Sequence, residues 1–218
     1  MNAVSNREAS VVVDRMILAI RENKQYLSDI DGAIGDGDHG INMNKGFTMA
    51  REALDEAPGD LAHGLNTLAR ILVMRIGGSM GPLYGRIFKS MGKRFEGHEK
   101  IDAGLFGEAL QDIRQGLAVL TPARVGDKTL VDALYPAIDA YEMALGSGNG
   151  FSGALDAMKK AAEEGRDATE GLAAKLGRSS RLGERSRGVI DAGAASCALL
   201  LGVMADTMIG LLEKNQEI

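Results

Sequence analysis

The chain has one cysteine, no tryptophan and four prolines in 218 residues, and aromatic residues make up only 4% of it. A lone cysteine, Cys197, excludes an intramolecular disulfide and fits a reducing compartment such as the cytoplasm. Scarce proline, with glycines that follow no three-residue period, excludes collagen and proline-rich linkers. A basic excess is also missing. Lys and Arg number 25 against 30 Asp and Glu, a net charge of −5, which argues against nucleic acid as a partner. The first ten residues, MNAVSNREAS, lack the apolar centre of a secretory signal. The most apolar segment, 189–212, is interrupted by Asp191 and Asp206, leaving 14 uncharged residues between them. That is short of the ~20 needed to cross a bilayer, so the segment reads as a buried core helix and no membrane is expected.

What the chain does have is glycine: 29 residues, against a usual share of about 7%. Its apolar fraction of 45% is enough to bury a core, and the length suits one domain over 1–218. Few β-branched and aromatic residues, with plentiful Ala, Leu, Met, Arg and Glu, favour helix over sheet. No stretch shows convincing two-residue alternation, whereas helical spacing recurs. Val13, Met16, Ile17, Ile20, Leu27 and Ile30 fall near one stripe of a first helix. Further helices are predicted over 42–54, 60–74, 82–94, 102–120, 129–145, 152–176 and 190–212. Asp60 is the expected N-cap of the third. Short connections make successive helices antiparallel neighbours, an all-α, eight-helix up-and-down barrel or bundle.

Counting then sorts the loops by end. The odd loops share one end and read DGAIGDGDHG (31–40), IGGSMGP (76–82), TPARVGDKT (121–129) and GRSSRLGERSRG (177–188). The even loops, DEAPG, EGHEKI and GSGNGF, look like ordinary turn chemistry. One end of the barrel should therefore carry the site.

Asp31, Asp36 and Asp38 lie within eight residues, among glycines that let the backbone fold so that the three carboxylates converge. Carboxylates this close repel unless a cation holds them, and an all-oxygen set suits Mg²⁺ or Ca²⁺. The EF-hand template fails: counted from Asp36, the sixth position is Ile41 and the twelfth Phe47. Mg²⁺ with a phosphate ligand fits better, and a solvated acidic turn is the other reading. Gly77, Gly78, Ser79, Met80 and Gly81 precede a helix, where N–H groups and the helix dipole favour phosphate; a tight packing turn is the plainer reading. Asp127 is a candidate cap for the sixth helix, and Lys128 or nearby N–H groups are candidates to meet an anion. Arg178, Arg181, Arg185 and Arg187 face only Glu184, a cluster suited to phosphate or to an acidic partner, or else a solvated loop. Asp191 with Gly193 opens the last helix as a cap or a ribose contact. His63 and His98 have no companions of metal-binding type, Cys197 reads as an inert core thiol, and the methionines as core filler. Neither a Walker A pattern nor a strand-borne GxGxxG is present, so a nucleotide site here is of another kind.

In order along the chain, D-x4-D-x-D-H-G-x-N (31–42), G-G-x-x-G-P-L-Y-G (77–85), G-D-K-T-x-x-D-A-L-x-P (126–136) and G-R-S-S-x-L-G-E-R-S-x-G (177–188) together resemble the nucleotide-binding L subunits of dihydroxyacetone kinases. The resemblance implies an all-α barrel of eight antiparallel helices with ADP or ATP at one end. It implies that Asp31, Asp36 and Asp38 hold Mg²⁺, two ions, bridging the nucleotide phosphates. His39, Ile41 and Asn42 would line the nucleotide site, with Gly78, Ser79 and Met80 at the phosphates. Thr121 stands where a glycine is common near the nucleotide, and Leu130 lies by the base. Arg178 lies by the phosphates or the reaction centre, and Asp191, Ala192 and Gly193 near the nucleotide. The chain departs from the family's usual D-P-G at Asp191-Ala192-Gly193, from Gly-Gly-Ala-Ser at residues 77–80, and from His or Gln before Asp191, where it has Val189-Ile190.

The function implied is phosphoryl transfer to a small ketose, dihydroxyacetone or a tetrulose, held covalently by a histidine of a separate K subunit that also supplies the general base. Three readings follow. The chain uses freely exchanging ATP; or it keeps ADP as a cofactor rephosphorylated by a phosphotransferase-system protein; or it is a nucleotide-sensing module that binds a transcription factor without catalysis. A homodimer is a further possible assembly.

Overall fold

A computed structural model describes residues 3–215. Among them are nine α-helices: α1 (Val11–Glu22), α2 (Lys24–Ile34), α3 (His39–Glu56), α4 (Leu61–Arg75), α5 (Met80–Phe95), α6 (Ala103–Ala118), α7 (Val131–Gly146), α8 (Gly150–Ala168) and α9 (Ala192–Lys214). The count of eight is met in a modified form. The expected first helix is interrupted at Asn23, whose backbone (φ −98°, ψ 8°) leaves helical geometry and whose side chain bonds back to the Ala19 carbonyl. From α2 onward each helix packs on the next, and α9 returns against α1 and α2, closing the ring. Side-by-side packing of successive helices, most of them joined by short connections, makes this an antiparallel up-and-down barrel.

Helix ends follow side-chain chemistry. Asp60 caps α4 by accepting from the His63 N–H, and Asp102 and Asp191 cap α6 and α9 in the same way. The expected seventh helix is shorter than its apolar pattern suggests. It stops at Ala168, followed by a 3-10 turn at Thr169–Gly171 and extended chain. The arginine-rich segment Arg178–Ser186 is a 3-10 helix broken at Gly183.

One expectation is corrected: there is a small sheet. β1 (Ala3–Ser5) pairs antiparallel with β2 (Lys100–Asp102), Val4 opposite Ile101, both fully buried. Three residues are too few to display an alternation, and the pairing is non-local, so no sequence window contains it. It ties the start of the described chain to the even end of the barrel.

The core is one continuous cluster. Phe106 touches Phe95, Tyr141 and Phe151, while Phe47 meets Phe88 edge-on. Few rings are needed because several helices approach closely over glycine. A Cβ on Gly165 of α8 would sit 2.1 Å from the Asp132 carbonyl of α7, and one on Gly85 of α5 would meet Val73 of α4 at 2.3 Å. α9 is long and apolar enough to cross a membrane by length and composition, but it is mostly buried as a wall of this barrel.

Candidate functional site

One cavity of about 510 Å³ opens at the odd end. Residues of all four odd loops line it, and none from the even loops does. Of the expected site residues, Asp31, Asp36, Asp38, His39, Asn42, Gly78, Ser79, Met80, Thr121, Leu130, Arg178, Asp191, Ala192 and Gly193 are on its wall. Ile41 is not: it is 51% exposed on the outer face of α3. The sequence reading also passes over Leu117 and Val131, apolar wall residues with no local signature, and Leu83 and Tyr84, which lie within a quoted motif but are given no role there.

Asp31 lies in the last turn of α2, while Asp36 and Asp38 follow in the turn before α3. Each offers a carboxylate oxygen, and the three oxygens lie within 4.8 Å of one another. Two features draw them together. Gly35 passes so close to Asp31 that a Cβ there would be 2.6 Å from Oδ1, and the His39 N–H donates to Asp31 Oδ2 at 3.2 Å. The Arg178 guanidinium contacts Asp36 directly and brings positive charge to this acidic cluster. A compact all-oxygen donor set of net negative charge fits Mg²⁺ and does not fit a thiolate- or imidazole-seeking metal.

Across the cavity, Gly78 adopts φ +69° to turn the chain into α5, a conformation other residues rarely take. Gly81 lets that turn close, since a Cβ would lie 2.3 Å from the Ile76 carbonyl. Ser79, the N-cap of α5, makes no side-chain cap bond, so no side chain of the described residues caps the first N–H groups of α5 at the cavity wall. Two other chain segments entering helices at this cavity are held by carboxylates. Asp191 takes the Ala194 N–H of α9, and the Asp132 carboxylate takes the Gly126 and Thr129 N–H groups before α7.

That last point corrects two sequence expectations. Asp132, not Asp127, ties the chain entering α7; Asp127 instead accepts from the Arg124 N–H and pairs with Lys175. Lys128 does not reach toward an anion. Its Nζ donates to the carbonyls of Thr169, Leu172 and Val189, which consumes all three protons. Lone signals misled here because both residues stand in a motif whose geometry only the neighbouring loops complete.

Behind the aspartates, His39 Nε2 lies 2.8 Å from Ser196 Oγ, and Tyr84 OH is 2.6 Å from the same oxygen. Burial lowers the His39 pKa to about 4, with Asp31 opposing, so the ring is neutral at pH 7. Burial raises Asp191 to about 6, and burial alone pushes the Cys197 thiol up to about 12, an inert core thiol.

A helical barrel whose mouth gathers carboxylates, a guanidinium and a helix start without a side-chain cap presents groups of the kind that suit phosphate and cations. The DAK2 domain model matches residues 33–206, and the chain belongs to that family. It is 37% identical over 191 residues to a PEP-dependent dihydroxyacetone kinase ADP-binding subunit, DhaL, of Listeria innocua, covering 87% of this chain and 90% of that one. It is 38% identical over 194 residues to the corresponding PTS-dependent subunit of Lactococcus lactis, covering 87% and 91%. A D-erythrulose kinase of Mycolicibacterium smegmatis is 34% identical, but the chain spans only 34% of its length. In structure, the chain resembles the dihydroxyacetone kinase of C. freundii solved with AMP-PNP and Mg²⁺, with a TM-score of 0.65 at 22% identity. That likeness covers 91% of this chain and 33% of that one.

Proposed function

We propose that the chain, a single domain over 1–218, is the nucleotide-binding subunit of a kinase that phosphorylates dihydroxyacetone or a related small ketose held on a separate K-type subunit. The cavity carries this reading, because a carboxylate triad, a guanidinium and an uncapped helix start converge there from separate loops. Relatives at 37% and 38% identity that are named as ADP-binding subunits of such kinases support it.

Asp31, Asp36 and Asp38 would hold Mg²⁺, two ions by the family resemblance, and the metal supplies charge neutralisation on phosphoryl oxygens when bound. The N–H groups at Gly78, Ser79 and Met80 receive phosphate oxygens, as a helix start does. Arg178 is the cation this chain brings to the negative charge that builds during transfer. His39, Asn42, Thr121, Leu130, Ala192 and Gly193 form the nucleotide wall, with Asp191 fixing the start of α9 beside it. The acceptor and the general base would come from the partner, as the family resemblance implies.

For the donor we favour ADP kept in place and rephosphorylated by a phosphotransferase-system protein, because the names of both relatives specify PEP or PTS dependence. A cytoplasmic location suits such a donor. The test loads the chain with labelled ADP, adds a K-type partner and ketose, and drives turnover with the phosphotransferase system. Retained label with sugar phosphate formed is expected. Label lost at each turnover indicates freely exchanging ATP, and no sugar phosphate from either donor overturns the kinase assignment.

A further inference from the structure

Three elements meet behind the aspartate loop through a short chain of hydrogen bonds: His39 at the start of α3, Tyr84 in α5 and Ser196 in α9. Ser196 Oγ lies 2.8 Å from His39 Nε2, 2.6 Å from Tyr84 OH and 3.0 Å from the Ala192 carbonyl. Tyr84 OH is also 3.1 Å from the Gly193 carbonyl. Tyr84 and Ser196 are buried, so these partners are the ones they must use.

Proton counting decides the direction. The cluster has three protons to place, one each on Tyr84, Ser196 and His39. If His39 donates from Nε2 to Ser196, the serine proton goes to Tyr84 or the Ala192 carbonyl, and the tyrosine proton to the Gly193 carbonyl or Ser196. Every proton then has an acceptor. If Ser196 instead donates to Nε2, the histidine proton moves to Nδ1, which has no partner among the described residues; Tyr84 still has the Gly193 carbonyl, but the Ala192 carbonyl loses the serine proton. Nδ1 is also absent from the sealed, unpartnered atoms of the described structure, and His39 lines the cavity, so this nitrogen is open to it.

We infer that Tyr84 and Ser196 are positioning residues that hold His39 as its Nε2–H tautomer, presenting the Nδ1 lone pair to the nucleotide cavity as a hydrogen-bond acceptor. An acceptor at that point receives a hydroxyl or amino group of the ligand and repels a phosphate oxygen. It therefore fixes which part of the nucleotide lies against α3 and keeps the phosphates toward α5 and the aspartates. This deepens the proposed nucleotide-binding function and rests on it for the identity of the ligand.

Ring ¹⁵N spectra of the full chain report the tautomer directly, without any ligand. His39 is expected as Nε2–H in the unsubstituted chain and as a tautomer mixture in Ser196→Ala, with Ser196→Thr restoring it. Tyr84→Phe, which changes no packing volume, should shift the balance in the same direction by a smaller amount. Mg²⁺–ADP affinity should fall about tenfold in Ser196→Ala, the size of one hydrogen bond, and recover in Ser196→Thr. An Nδ1–H ring in the unsubstituted chain, or a tautomer unmoved by both substitutions, overturns the inference. An Nε2–H ring in a chain that binds no ADP leaves the relay in place and overturns the nucleotide reading instead.

Discussion

The Lys128 ammonium sits 2.5 Å from the carbonyl oxygen of Val189 and donates as well to Thr169 and Leu172. It is only 1% exposed, its backbone has φ 61°, and burial lowers its pKa from the ordinary lysine value. One side chain thus fastens the loop before α7 to both ends of the segment carrying Arg178. Lys128→Met should leave three carbonyls without their donor and cost about 3 kcal/mol. Urea unfolding measures this, and a loss below about 1 kcal/mol would show that the pin is dispensable.

Asp36 is exposed, and its main contact is Arg178. Asp36→Ala should therefore keep the helical fold while abolishing Mg²⁺-dependent ADP binding, and chelating the metal should reproduce this in the unsubstituted chain. Calorimetric titration tests it. Unchanged nucleotide affinity in the variant would refute the metal assignment.

Gly35→Ala places a methyl 2.6 Å from Asp31 Oδ1 and 2.9 Å from the Asp31 carbonyl. Backbone and carboxylate must shift, so Mg²⁺ affinity should fall at least tenfold, with a stability loss of about 1 kcal/mol. Gly146→Ala, where a Cβ meets nothing within 4 Å, serves as the comparison and should be near neutral in both measurements. Equal effects from the two substitutions would remove the special role given to Gly35.

Two half-buried groups act oppositely on stability in metal-free buffer. Neutral His39, with its pKa near 4 against an ordinary 6.5, loses stabilisation as pH falls from 6.5 toward 4. Asp191, near 6 against 3.8, imposes a cost that appears as pH rises from 4 through 6. Each amounts to roughly 3 kcal/mol, so they largely cancel over that window. Asp191→Asn keeps a good cap and leaves the histidine slope, so its stability should climb with pH between 4 and 6.5. His39→Gln should show the reverse. Urea midpoints at several pH values decide it, and parallel profiles for the two variants would dismiss the opposition.

Much of this protein is legible before folding. The helical stripes, the caps at Asp60 and Asp191 and the glycine-rich odd loops are local patterns, read within a few residues. The parity of the loops follows from counting, which is why one end could be expected to carry the chemistry. The break at Asn23 escapes because the apolar stripe runs on past it, and the end of α8 escapes because periodic residues continue beyond Ala168.

The sequence by itself therefore determined the all-α class, the chemistry of each loop and the end at which the loops collect. Tertiary structure decided what each group does there. It spent Lys128 on carbonyls, set Asp132 to hold the loop before α7, turned Ile41 outward and joined His39 to Ser196 across 157 positions of chain. The physical reason is that a loop's residue types state which bonds it is able to make. Only the packing of distant helices determines which partners come within reach, and so which protons and charges remain free for a ligand.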